Sequence, residues 1–124
     1  MNNPRAAYLG QMVATASPAK LLVMLYDRLL LDLARAEEAQ QREDFRAAGT
    51  DLIHAQEIVL ELRSSLRTDV WDGAEDLSGL YGWLHSELVR ANTSRDAAAT
   101  AACRRVVEPL AEAWREAALT AVAG

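Results

Sequence analysis

The stretch Val13-Ala-Thr-Ala-Ser-Pro-Ala-Lys-Leu-Leu-Val-Met-Leu-Tyr-Asp27 decides the fold. It reads as the start of a helix. Ser17 can offer its hydroxyl to the free N–H groups of a first turn. Pro18 takes the first helical position, where no backbone N–H is needed. Leu21, Leu22, Met24, Leu25 and Tyr26 then crowd more than one face, more apolar surface than a single neighbouring helix covers. The spacing of three and four seen in Leu22, Leu25 and Tyr26 continues through Leu29, Leu33 and Ala36. It predicts a first helix from Pro18 to about Gln41, with Leu21, Leu30 and Leu31 widening the stripe. Glu38 and Arg42, four apart in the favourable order, support its exposed end.

Three further periodic segments follow. Asp44 is a good N-cap for a second helix from Phe45 to about Leu66. Its stripe is Phe45, Ala48, Leu52, Ala55, Val59, Leu62 and Leu66. Ile53 and Ile58 lie off that line and give it a second apolar edge. Gly49 inside it reflects either close packing or simple tolerance of the cost, up to ~1 kcal/mol against alanine. Residues 67–73 form the longest irregular link, where Asp72 and Glu75 have capping-box spacing. A third helix runs from about Ala74 to Ala91, with Leu77, Leu80, Tyr81, Leu84 and Leu88 as its stripe and Trp83 pointing elsewhere. Residues 92–96 are rich in turn and cap residues. A fourth helix runs from about Asp96 to Ala121, with Cys103, Val106, Val107, Leu110, Trp114, Ala117 and Ala118 on its apolar side. Pro109 lies inside it. The apolar period continues through the proline, so a kink near Arg105 is preferred over two helices broken at Glu108. Four amphipathic helices with short links predict an all-α, antiparallel up-down-up-down four-helix bundle. Residues 1–124 form one domain, and 1–16 form an N-terminal arm before the first helix.

Composition narrows the function. The chain has 124 residues, 51% hydrophobic and 25% charged, which places it among globular domains able to bury a core. Its net charge of −5 and its isolated basic pairs give no nucleic-acid footprint. Cys103 is the one cysteine, so no internal disulfide can form, and its small apolar neighbours read as core. The N-terminus lacks the apolar run of a secretory signal, and no run approaches the ~18 residues of a membrane span. A cytoplasmic protein without membrane insertion is expected.

No catalytic constellation emerges. Two histidines, His54 and His85, do not repeat the Glu-x-x-His pattern of a di-metal bundle. Asp51-x-x-His54 occurs once, and three converging zinc ligands are missing from the spacing. There is no glycine-rich phosphate loop and no nucleophile elbow. The expectation is no catalytic residue, no cofactor and no metal, hence no enzyme. What stands out is an apolar surplus. Tyr8, Leu9, Met12 and Val13 precede any helix yet suit burial, and Ile53, Ile58, Trp71 and Trp83 fall outside the simplest stripes. Either these complete the core or they mark a groove that a partner helix occupies through anchors three or four residues apart.

The order of motifs resembles the FliS family of flagellar secretion chaperones. The resemblance begins at Tyr8 and Val13, and continues through Thr15-Ala-Ser-Pro18, Lys20-Leu21 and Met24-Leu-Tyr-Asp27. It resumes at Leu52-Ile-His-Ala55, Ile58-Val59 and Glu61-Leu62. It returns in Gly73-Ala-Glu-Asp-Leu77, Leu80-Tyr81, Leu88 and Ala91-Asn92, and ends at Pro109-Leu110 and Ala113-Trp114. Arg28, Val70-Trp71-Asp72 and Gly82-Trp83 depart from the family pattern. The resemblance implies a non-enzymatic, cytoplasmic export chaperone. Such a protein binds the C-terminal segment of flagellin, prevents premature polymerisation and assists delivery to the flagellar type III export apparatus. Export-gate components and other flagellar regulators are further implied partners. A regulatory bundle binding a different protein is the alternative. Joined to the periodicity, the resemblance makes Tyr8, Val13, Leu21, Leu25, Ile53, Ile58, Leu77, Leu80, Tyr81, Leu84, Val107, Leu110 and Trp114 candidates for flagellin binding. Tyr8 belongs to the arm, with Val13, Leu21 and Leu25 as the neighbouring floor. Ile53 to Leu84 are assigned to a groove between the second and third helices, and the last three to the fourth.

Overall fold

The computed structural model describes residues 18–67, 69 and 72–123. Four helices occupy them: α1 Pro18–Gln41, α2 Phe45–Ser65, α3 Ala74–Thr93 and α4 Ala97–Ala123. The expected bundle is found, with helix boundaries within a residue or two of the periodicity. Residues 1–17, which include the arm with Tyr8 and Val13 and the capping role read for Ser17, lie outside the described residues, as does Trp71.

Each helix packs on the next and α4 closes the ring on α1. Cross-helix contacts give the directions. Arg63 near the end of α2 bonds Ser78 near the start of α3, and Gly49 near the start of α2 lies against Asn92 near the end of α3. Arg104 meets Glu37 while Arg115 meets Asp27, so α4 runs opposite to α1. The core takes the predicted stripes: Tyr26, Leu29, Leu33 and Ala36 from α1, and Leu52, Ala55, Val59 and Leu62 from α2. Leu77, Tyr81, Leu84 and Leu88 come from α3, and Cys103 and Val107 from α4, where Ala111, outside the expected stripe, is also enclosed while Val106, Leu110 and Trp114 are only partly buried. Enclosing each large side chain stabilises the fold by roughly 1.5–3 kcal/mol before entropy is counted.

Two links use the same device. After α1, Glu43 takes a left-handed φ of 61°, and after α3 Arg95 takes one of 52°. In both, the amide three residues past the helix reaches back to a carbonyl of the last turn. Asp44 N–H bonds Ala39 at 2.8 Å and Asp96 N–H bonds Ala91 at 2.9 Å, the Schellman pattern. The same aspartates then cap the next helix: Asp44 accepts from Ala47 N–H, and Asp96 accepts from Ala98 and Ala99 N–H. The third link differs. Gly73 holds the N-cap position of α3 in a right-handed helical conformation, and no side chain caps it. The capping box expected at Asp72 and Glu75 is therefore not made. The backbone has already turned helical at Gly73, whose carbonyl accepts from Leu77 N–H at 3.0 Å, so Asp72 stands one residue too early. Glu75 and Asp76 still place negative charge in the first turn.

Pro109 lies inside α4, which continues through it as one helix. Pro109 and Arg105 are both exposed, so the carbonyl that loses its partner belongs to the solvent side.

The two ends of the bundle differ in side-chain size. Toward the α1–α2 link the enclosed residues are mostly alanine: Ala36, Ala39, Ala48, Ala91 and Ala99. There the buried Gln40 amide donates to the Ala91 carbonyl at 3.1 Å and accepts from Thr100 Oγ1 at 2.7 Å, joining three helices. At the opposite end leucines, tyrosines and a tryptophan meet, and the bundle is open.

Candidate functional site

The open end carries a cleft of about 490 Å³. The first turns of α1 supply Pro18, Leu21, Leu22 and Leu25. The end of α2 and the following link supply Glu61, Leu62, Ser65, Leu66 and Arg67. Leu77 and Tyr81 come from α3 and Trp114 from α4. Antiparallel topology produces this meeting, because the starts of α1 and α3 lie beside the ends of α2 and α4. Long apolar side chains set wider helix spacing than alanines do, and leave unfilled space between them.

An aromatic group underlies the cleft. The hydroxyls of Tyr26 and Tyr81 are 2.6 Å apart, and the Trp114 ring stands 6.5 Å from that of Tyr26, tilted by 49°. Burial raises the pKa of both phenols, Tyr81 strongly, with the Tyr26 hydroxyl adding to that shift. The Trp114 indole N–H is buried without an acceptor in hydrogen-bond geometry, although it lies near enough to Tyr26 to ease that phenol's ionisation.

The thirteen residues expected to bind a partner divide by position. Leu21, Leu25, Leu77, Tyr81 and Trp114 converge on the cleft. Ile58, Leu84 and Val107 are enclosed in the core. Leu80 and Leu110 are half-buried against it, away from the cleft wall. Ile53 is 51% exposed on the outer face of α2. A helix advances about 100° per residue, so Ile53 and Ile58 face different directions and share no groove. Tyr8 and Val13 lie outside the described residues. Sequence reading passed over Leu22, Leu62 and Leu66, which were counted as core stripe. The available signal was the concentration of leucine at the start of α1 and the end of α2, with alanine at their other ends.

A second polar cluster lies between α1 and α2. Asp32 is fully buried, with His54 Nδ1 on one carboxylate oxygen and Arg28 Nε 3.2 Å from the other. Asp51 nearby has a raised pKa, mainly through desolvation and then through the charge of Asp32. Among the described residues no group of three His, Cys, Asp or Glu side chains is placed to hold a metal ion, and no helix is long and apolar enough to cross a membrane.

These features define a small antiparallel four-helix bundle with an apolar cleft at one end. The family model described as Flagellar protein FliS matches residues 1–121. The flagellar secretion chaperone FliS of Bacillus subtilis (strain 168) is 30% identical over 117 residues, covering 94% of this chain and 87% of that protein. The flagellar secretion chaperone FliS of Escherichia coli (strain K12) is 31% identical over 110 residues, covering 87% and 81%. A solved structure described as a flagellar chaperone from bacteria shares the fold, with a TM-score of 0.76 and 21% identity over 95% of this chain and 99% of that one. The chain belongs to the FliS family of flagellar secretion chaperones.

Proposed function

We propose that the end cleft receives the C-terminal segment of flagellin. The protein holds that segment in the bacterial cytoplasm, prevents its polymerisation and assists its delivery to the flagellar type III export apparatus. The observation that carries this reading is an open apolar cleft in a chain of a secretion-chaperone family. A segment that is disordered before assembly would fold as an amphipathic helix on the chaperone. Its apolar anchors would bury against Leu21, Leu25, Leu77 and Trp114, with ordering entropy limiting affinity. No catalytic step is needed, and release falls to the export machinery. Export-gate components and other flagellar regulators are further partners on this reading. Tyr8 and Val13 would extend the same contact from the arm.

Calorimetry tests it. The full chain is titrated with a synthetic peptide covering the C-terminal segment of flagellin, with a complex near 1:1 expected. Absence of binding overturns the proposal.

A further inference from the structure

Arg63 crosses the seam between α2 and α3 on the outside of the bundle. Gly49 lies against Asn92 and Arg63 bonds Ser78, which fixes the antiparallel register of the two helices. Gly49, Gln56 and Arg63, seven residues apart, form the row of α2 that follows this seam. Arg63 Nε donates to Ser78 Oγ at 3.3 Å. Its guanidinium lies over Gly82, where a Cβ would stand 3.1 Å from one terminal nitrogen and 3.5 Å from the other. The guanidinium fills the space that a side chain at Gly82 would take. Its two terminal nitrogens meet no carboxylate among the described residues. Arg63 is exposed, so those N–H groups face outward.

Apolar side chains flank this cation. Ile53 and Leu60 stand outward of the seam row on α2, Val89 stands outward on α3, and all three are exposed. The register sets Ile53 level with Val89 and Leu60 level with Gly82. A helix rises about 1.5 Å per residue, so the guanidinium lies roughly 10 Å along the seam from the Ile53–Val89 pair. Single exposed apolar residues are ordinary. Three beside an arginine whose head is held in place offer anchors for apolar side chains and a fork for a carboxylate. A guanidinium already anchored loses less entropy on pairing than a free one. The net charge of −5 disfavours a nucleic acid or an anionic membrane here. Free phosphate would leave the apolar residues uncovered.

We infer that this outer face docks a helix of a second protein partner. That helix presents two apolar residues on one face and an Asp or Glu seven positions from the farther of them. The apolar residues cover Ile53, Val89 and Leu60, and the carboxylate pairs with Arg63. The surface is separate from the cleft, so the inference does not depend on what the cleft holds.

The probe is an alanine-based helical peptide with two leucines and one glutamate in this spacing, made in both orders along the chain. The same peptides with glutamine for glutamate are the controls. Each is titrated into the ¹⁵N-labelled full chain. One glutamate peptide should shift the amide resonances around Ile53, Leu60 and Val89. It should bind about two- to fivefold tighter than its glutamine counterpart. Arg63→Gln should remove that difference. Gly82→Asp should remove it too, because it offers Arg63 a carboxylate from within the chain, and the two variants together cover a failure of either to fold. Equal binding of the glutamate and glutamine peptides to wild type, shifts confined to the cleft, or no binding overturns the inference. Concentration-dependent shifts at the same residues without peptide would give the face to a second copy of the chain. Displacement of the probe by the flagellin C-terminal peptide would give it to flagellin. Either result overturns a separate partner.

Discussion

Asp32 is fully enclosed on α1, with His54 from α2 on one oxygen and Arg28 near the other. A carboxylate in that position depends on both partners, because solvent does not reach it. His54→Ala should lower the unfolding free energy by about 1–3 kcal/mol in urea denaturation. The double variant with Asp32→Ala should cost less than the sum of the two single changes, since the stranded charge is gone. Additive losses would mean that the pair is not coupled. In the sequence, His54 reads as a surface or boundary residue. Its role became visible only once α1 and α2 were paired, because Asp32 lies 22 positions away.

Cys103 shows the opposite case, in which composition already pointed to the outcome. It is fully buried, and desolvation pushes its thiol up from 9.0 to about 11, with the charge of Glu87 adding to the shift. The folded state therefore disfavours the thiolate. The stability this contributes is fully present below pH 9 and is lost as pH rises through about 11. Native protein at pH 8 should react with a disulfide reagent far more slowly than urea-unfolded protein, and the two rates measured side by side check it. Equal rates would place the thiol at the surface.

At the scale of elements, the two Schellman links separate a bare backbone cost from a compensated one. Glu43 and Arg95 both adopt left-handed conformations that disfavour side chains. Arg95 Cζ lies 4.7 Å above the Phe45 ring, a cation–π contact that ties the α3–α4 link to the start of α2. Glu43 has no ring beneath it among the described contacts. Glu43→Gly should raise the unfolding free energy by a few tenths to about 1 kcal/mol. Arg95→Gly should gain nothing or lose stability, because the ring contact goes with the side chain. Thermal melts of the two variants against wild type decide it, and equal gains would remove the contact's role.

The helix limits themselves were legible because apolar spacing, Asp44 and Pro18 are local signals. The link before α3 was not. Asp72 and Glu75 have the right spacing for a cap, but the backbone at Gly73 turns helical first. Cap chemistry depends on φ and ψ at one residue, which neighbouring side chains alone do not set.

Across the whole molecule, the gradient from alanine to leucine leaves one end closed and the other open. Substitutions at the two kinds of candidate residue should therefore part company. Leu25→Ser at the cleft should weaken flagellin-peptide binding at least tenfold in calorimetry. Ile53→Ser, on the outer face of α2, should change neither binding nor the melting temperature appreciably. Loss of binding on Ile53→Ser alone would move the seat to the outer face of α2 and α3.

The sequence by itself determined the four helices, their approximate limits, the buried stripes and the family, because each is written in local spacing or in the order of motifs. It also carried the surplus of apolar side chains near the start of α1. Only the tertiary structure decided which of them meet. Leu21, Leu25, Leu77, Tyr81 and Trp114 converge because antiparallel packing brings distant helix ends together. Leu84 and Val107, equally apolar in sequence, are enclosed because their positions fall where the helices pack closely on all sides. Periodicity fixes the face that a side chain occupies, whereas its height along the bundle relative to other helices depends on contacts far apart in the chain.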